Sequence, residues 1–169
     1  MASEMTVRPA TAADVDAIVA LVQSSYRGDA SRAGWTTEAD LLDGQRTDAD
    51  EVGPLIQHTL VGELAREIVA SCVLRPEGDH AHFGMFAVQP GRQGTGIGSV
   101  LMSAAESRAR ELGLHRVEMT VLTLRPELIA FYERRGYVAT GQVLPFPTGA
   151  RFGIPRRDDL QLGVYAKRL

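Results

Sequence analysis

The chain has 169 residues, 44% hydrophobic and 23% charged, with a formal net charge of −3. That length supports a real core and that balance suits a globular chain, while the weak negative charge gives no general pull toward nucleic acid or anionic membrane. A single cysteine, Cys72, excludes an internal disulfide and a cysteine-rich zinc site. The opening Met1-Ala2-Ser3-Glu4-Met5 lacks a basic stretch followed by an apolar one, so no secretory leader is expected. No apolar run approaches the roughly 18 residues needed to cross a bilayer, which makes the cytoplasm the default. One domain over residues 1–169 is expected.

Met5-Thr6-Val7-Arg8 reads as a strand. Thr11 and Asp14 then form a capping-box pattern ahead of Val15, Ile18, Val19 and Val22, which recur at helical spacing to about Tyr26. Residues 27–36 are loop-like. Thr37 to Leu42 and Asp48 to His58 each suit a short helix, the second interrupted near Gly53-Pro54. Thr59 to Leu64, Glu67 to Leu74 and His80 to Val88 read as strands. Their short connectors predict antiparallel hairpins, and the setting of Cys72 predicts a buried thiol.

A helix follows, with Ile97, Val100, Leu101, Ala104, Ala105 and Leu112 on its apolar face and Glu106–Arg110 paired on the other, until Gly113 ends it. His115 to Leu122 alternates, with Val117, Met119 and Val121 facing one way. Reached by a helical crossover, it should lie parallel to the His80–Val88 strand. Pro126 opens another helix carrying Leu128, Ile129, Phe131 and Tyr132, and Gly136 stops it. Tyr137 to Val143 and Gln161 to Lys167 read as closing strands around an irregular, proline-containing segment. The economical architecture is a mixed sheet with helices on both faces.

The segment Gly91-Arg92-Gln93-Gly94-Thr95-Gly96-Ile97-Gly98-Ser99 joins a strand to a helix through four glycines. Glycine weakens a helix start, so their concentration there calls for a reason. A helix N-terminus has unpaired N–H groups and the positive end of the macrodipole, and together these favour an anion. A Walker loop would need lysine before Ser99. A dinucleotide fingerprint would need G-x-G-x-x-G, whereas these glycines run 94, 96, 98.

Gln93-x-x-Gly96-x-Gly98 resembles the Q/R-x-x-G-x-G/A motif of the GNAT superfamily of N-acetyltransferases. Phe83-Gly84-Met85-Phe86-Ala87-Val88-Gln89-Pro90 resembles that family's fourth strand. Phe131-Tyr132-Glu133-Arg134-Arg135-Gly136-Tyr137 resembles its Phe-Tyr-x-x-x-Gly-Phe/Tyr segment, and Val7 to Asp14 its opening strand and helix. The resemblance implies an α/β, mixed α+β fold. Its sheet would be mostly antiparallel, with parallel, splayed fourth and fifth strands.

It also implies acetyl-CoA as cosubstrate and no metal. The pyrophosphate would rest on backbone N–H groups of Gln93, Gly94, Thr95, Gly96, Ile97, Gly98 and Ser99. A side chain on one of the loop glycines would strike the diphosphate or strain the loop. The pantetheine arm would pair with Phe86, Ala87 and Val88 like an added strand. Arg92 is an alternative phosphate contact or a solvated surface charge. Arg125 stands where the family often has asparagine.

The implied reaction is direct acetyl transfer to a primary amine. Tyr132 holds the family's position for the acid that protonates the CoA thiolate. The base is His82, Glu118 on the neighbouring strand, or a water chain. A strand-four N–H near Phe86 or Ala87 would stabilise the oxyanion. The acceptor pocket would come from Tyr26 to Glu38, with Asp29 and Trp35, and from Leu144 to Asp159, with Phe146, Arg151, Phe152, Arg156 and Arg157. Aromatic, acidic and arginine side chains there suit a small-molecule amine such as an amino acid derivative or polyamine. A non-catalytic acyl-CoA sensor and an acetyltransferase of protein N-termini or lysines are the alternatives. The family resemblance is compatible with a homodimer.

Overall fold

Seven strands form one sheet on which both helical layers rest. The computed structural model describes residues 4–26, 42–43, 47–147, 154–156 and 158–169. The elements are β1 (Thr6–Pro9), α1 (Val15–Tyr26), α2 (Ala49–Leu55), β2 (Thr59–Leu64), β3 (Glu67–Glu77), β4 (His80–Val88), α3 (Ile97–Glu111), β5 (Arg116–Leu122), α4 (Pro126–Glu133), β6 (Val138–Pro145) and β7 (Gln161–Arg168). The sheet order is β1-β2-β3-β4-β5-β7-β6. Every neighbouring pair is antiparallel except β4–β5, which is parallel as the crossover through α3 requires. Leu42–Asp43 and Ile154–Pro155 make a separate two-residue ladder. Of the expected helix over Thr37 to Leu42, only Leu42 is described, and it is extended; the rest lies outside the described residues, as does the loop over 27–36.

Alternation along the central strands divides the interior. Cys72, Leu74, Phe83, Val117, Met119 and Val121 meet Leu101, Met102 and Ala105 of α3 and Leu128, Phe131 and Tyr132 of α4 on one face. Val61 and Ala87 meet Ile18, Leu21, Val22 and Tyr26 of α1 and Val52 of α2 on the other. Cys72 has no exposed surface, and burial pushes its thiol up to about 12. It is a core side chain, as expected.

Several local rules decide the details. Ala65 and Arg66 both have positive φ, 50° and 68°, so the β2–β3 hairpin takes a two-residue turn without the glycine such turns usually use. β3 runs on through Pro76, beyond the expected end at Leu74. β2 stops pairing at the Thr59–Val73 position, so the missing proline N–H faces an unpaired edge. Pro54 does not interrupt α2; the helix passes through Gly53–Pro54 and tightens afterwards into a 3₁₀ turn over Ile56–His58.

On α3 the buried positions are Leu101, Met102, Ala105, Glu106 and Ala109, while Val100 and Leu112 are exposed. The expected Glu106–Arg110 surface pair is therefore replaced. Glu106 lies four residues beyond Met102, on the flank of the buried face. Its carboxylate accepts from Lys167 Nζ at 3.0 and 3.1 Å and from Tyr137 Oη at 3.1 Å.

The β1–α1 connection is held by a charged network. Asp14 accepts two hydrogen bonds from Arg8, at 2.8 and 3.1 Å, and one from the Thr11 N–H at 2.8 Å; Arg8 also reaches Glu63 on β2. The Arg8 guanidinium holds the Asp14 carboxyl down at about 2. A depressed folded-state value stabilises above the unfolded carboxylate's value and is lost as pH falls through the folded one. Asp14→Asn keeps an acceptor for the Thr11 N–H but removes the charge that Arg8 pairs with, and should lower Tm at pH 7 by about 2–4 °C for a loss of about 1 kcal/mol. The gap to the unsubstituted chain should close as pH falls from 4 toward 2, read by thermal denaturation followed by circular dichroism.

Candidate active site

β4 carries one residue more than β3 across from it: Ser71 pairs with Ala87, but Val73 pairs with Gly84. The extra residue is Met85, at φ 48°. A bulge of this kind bends a strand and increases its twist. On its other side β4 pairs with β5 only at Ala81–Val117 and His82–Glu118, so beyond His82 the parallel strands part. The expected splay is present, and its local cause is a bulge at a methionine that nothing in the sequence announces.

A cavity of about 400 Å³ occupies this gap. Phe83, Phe86, Met119, Leu128 and Tyr132 reach it from the α3–α4 face; Tyr26, Leu55 and His82 reach it from the α1–α2 face. The opening therefore passes through the sheet. His82 and Tyr132 meet at one cavity although they lie 50 positions apart in the sequence and on opposite sides.

Burial lowers the His82 imidazole from its usual value; Arg75 and His80 add to this, while Glu77 and Glu118 oppose it. Its neutral, proton-accepting form is favoured at physiological pH. Tyr132 is fully buried, and desolvation raises its phenol well above the ordinary value, so it keeps its proton. Its hydroxyl makes no hydrogen bond to a described residue. Glu118 stands outside the cavity wall, bonded to Arg116 and 3.3 Å from His80 Nε2.

Gln89 N–H donates to Val69 O on β3. Alternation then turns the polar groups of Phe86 and Val88 to the opposite edge, the one β5 has left. The Val88 carbonyl accepts from Ser25 Oγ at 3.0 Å and Gln93 Nε2 at 3.1 Å, and the Phe86 carbonyl accepts from Tyr26 Oη. Gln93 thus ties the glycine loop back to β4. Thr95 Oγ1 donates to Arg92 O, and Arg92 Nε to Gln89 Oε1 at 2.6 Å.

The loop glycines do different work. Gly94 and Gly96 have φ of 82° and 89° with open space around them, so their need is conformational. Gly96 caps α3, whose first N–H groups face outward without intrahelical partners. Gly98 is instead a packing glycine: a Cβ there would sit 2.9 Å from Phe86 Cζ and 3.4 Å from Phe131 Cζ. It lets α3 start close to β4. Ile97 is half-buried, and Ser99 Oγ accepts from Arg135 Nε at 3.1 Å and from Nη2.

Arg135 is a residue the sequence reading passed over. Its guanidinium lies 3.5 Å above the Phe131 ring and brings positive charge to the first turn of α3. The signal was its place four residues after Phe131, in the turn that closes α4. Tyr26 was read as part of an acceptor wall, but nothing in the sequence revealed its bond to Phe86. Asp29, Trp35, Glu38, Arg151, Phe152 and Arg157 lie outside the described residues; Phe146 lines the cavity, and Arg156 is exposed. Arg125 is buried at the start of α4. Among the described residues no helix is long and apolar enough to cross a membrane.

With this geometry in view, the comparisons agree. The family model of the acetyltransferase (GNAT) family matches residues 16–137, and the chain belongs to that family of acyltransferases. Its fold is shared by Ard1 from Thermoplasma volcanium at 22% identity, with 98% of this chain and 97% of that chain covered and a TM-score of 0.73. The ribosomal-protein-S18-alanine N-acetyltransferase from Escherichia coli is 14% identical over 98% and 94% of the two chains, with a TM-score of 0.72. Rv2747 from Mycobacterium tuberculosis, solved in complex with CoA, is 22% identical over 97% and 99%, with a TM-score of 0.64. No curated protein sequence matches the chain.

Gly98→Ala should cost about 1–3 kcal/mol through overpacking against Phe86. Tm should fall by about 2–10 °C, and Phe86→Leu should recover part of the loss in the double variant. An undiminished loss in the double variant would locate the strain elsewhere.

Proposed function

We propose that the chain, acting as one catalytic domain, transfers the acetyl group of acetyl-CoA to the primary amine of a small molecule. The observation that carries this reading is the cavity through the sheet, with neutral His82 on one face and protonated Tyr132 on the other. Donor and acceptor then approach from opposite sides. The diphosphate rests on the N–H groups between Gln93 and Ser99, with Arg135 adding charge at Ser99. Pantetheine runs along the β4 edge at Phe86 to Val88 into the gap.

An alkylammonium of pKa about 10 must shed a proton before attack. His82 takes that proton, directly or through water. The amine nitrogen bonds to the thioester carbon, the oxyanion forms against the Phe86 N–H, and the C–S bond breaks with its electron pair on sulfur. A thiolate leaving into a buried site is more basic than in water, so the Tyr132 proton goes to sulfur as it departs, and the surplus proton on the acylated nitrogen passes through water to restore the phenol, leaving amide, CoA thiol and protonated His82. His82 is preferred to Glu118 because it lines the cavity while Glu118 is engaged by Arg116 and His80.

The described acceptor side combines apolar walls at Leu55, Val73, Met85, Phe146 and Leu162 with the polar or charged side chains of Glu51, Arg75 and His82. That lining suits an amine carrying an apolar body together with a polar or charged group, such as an amino acid derivative. Thiol-dye detection of CoA release across aliphatic, aromatic and acidic amines, polyamines and short peptides tests the reading. Turnover should be fastest with a primary amine that carries both an apolar body and a charged group, such as an amino acid derivative. Tight acetyl-CoA binding without turnover of any acceptor would favour a sensor instead, and turnover confined to peptides a protein acceptor.

Tyr132→Phe should lower kcat by roughly ten- to a thousandfold while CoA binding, read by calorimetry, stays near normal. An unchanged kcat removes Tyr132 from the mechanism. His82→Ala should depress kcat/KM most at low pH, where the amine is protonated and a base with a lowered pKa is still neutral. A pH profile superimposable on the unsubstituted enzyme's excludes His82 as the base.

A further inference from the structure

Met85 presents a problem that the transfer reading leaves open. Left-handed backbone disfavours a side chain, and such a conformation persists only where its surroundings enforce it. Two hydroxyls meet the strand just past the bulge, and both come from the last turn of α1. Ser25 Oγ lies 3.0 Å from Val88 O and shares its one hydrogen with Leu21 O at 2.7 Å, and Tyr26 donates to Phe86 O. Ser25 has no exposed surface and Tyr26 is 6% exposed. The Tyr26 bond spans 60 residues of sequence and falls on the residue next to the bulge.

The location matters as much as the bond. Tyr26 lines the same cavity as His82 and Tyr132. The Phe86 carbonyl and N–H share the gap-facing edge of β4. A bare carbonyl there repels the negative oxygen that develops as an amine adds to a thioester. A hydroxyl donating to that carbonyl offsets its negative end. It also fixes the direction of the residue whose N–H receives the oxyanion.

Resting on the acetyl-transfer reading, we propose that Tyr26 is a positioning residue for the transfer step: its hydroxyl clamps the Phe86 carbonyl and so keeps the Met85 bulge in the form that aims the Phe86 N–H at the thioester. Tyr26 acts through Phe86 and exchanges no proton with substrate. The proton it would give is engaged on a backbone oxygen, unlike that of Tyr132.

The clamp and the strain are two sides of one balance, which makes the idea testable as a coupling. Glycine populates positive φ about as readily as negative, so a glycine at the bulge depends less on the clamp. The experiment compares the full chain with Tyr26→Phe, Met85→Gly and the double variant, each measured for kcat, KM for acetyl-CoA, CoA affinity and Tm. Tyr26→Phe is expected to lower kcat about 10- to 100-fold, with KM for acetyl-CoA and CoA affinity within about threefold, because the carbonyl interaction bears on the transition state.

In the Met85→Gly background the Tyr26→Phe drop should shrink at least about fivefold. A Tyr26→Phe enzyme with unchanged kcat overturns the proposal. So does a kcat loss matched by lost CoA affinity, which marks a merely structural tyrosine, and so does an equal drop in both backgrounds, which uncouples Tyr26 from the bulge. An unsubstituted chain that binds acetyl-CoA but acetylates no amine overturns the transfer reading and the proposal together. The two failures are therefore distinguishable.

Discussion

Beyond the His82–Glu118 position β4 and β5 have no common register, and the space between them holds the cavity that His82 and Tyr132 both line. A parallel pair in a sheet ordinarily satisfies both edges along its whole length. Here one added residue at Met85 bends β4 away, and the backbone groups it releases must find other partners. Ser25, Tyr26 and Gln93 supply some of them. The sheet thus gives up continuity at its centre and gains a passage between its two faces. The helices are arranged to suit: α1 closes on the gap from one side, α3 and α4 from the other.

The aromatic side chains hold that passage open in a fixed shape. Phe86 sits 5.4 Å from Phe83, 5.9 Å from Phe131 and 6.3 Å from Tyr132, centre to centre, and Tyr132 lies 6.1 Å from Tyr137. Such pairs contribute about 0.5–1.5 kcal/mol each beyond their buried area. Phe86 therefore links three things: the strand edge, the start of α3 through Gly98, and the helix that presents Tyr132. Displacing one ring moves the glycine loop and the Tyr132 phenol together. Arg135 extends the linkage, since it stacks on Phe131 and bonds Ser99.

Much of this was legible in the residues, for physical reasons that differ from place to place. Strand alternation at Val117, Met119 and Val121 reports burial directly, so β5 and its orientation followed. The parallel pairing of β4 and β5 followed from the crossover that α3 must make. The glycine loop was legible as a special backbone because left-handed φ is costly for other residues. It did not separate Gly98, which is needed for close packing, from Gly94 and Gly96, which are needed for their φ. Glu106 was misplaced because helical spacing alone cannot know that Tyr137 and Lys167 would arrive from other elements. The Met85 bulge and the Tyr26–Phe86 bond were invisible for the same reason: both depend on tertiary partners, and neither residue carries a local signal. The loop charges that suggested an amino acid derivative or polyamine lie mostly outside the described residues, and the described cavity wall sets apolar side chains beside Glu51, Arg75 and His82.

Cys72 has a consequence outside the fold. It is the chain's only thiol, it has no exposed surface, and burial holds it up at about 12. Disulfide-exchange dyes and alkylating reagents attack the thiolate and need access to it. The native protein is therefore silent toward them, so under the proposed acetyl transfer a thiol signal reports liberated CoA. The same side chain becomes a chemical clock once the core opens. Its labelling rate reads how often β3 separates from α3, with no probe added to the chain.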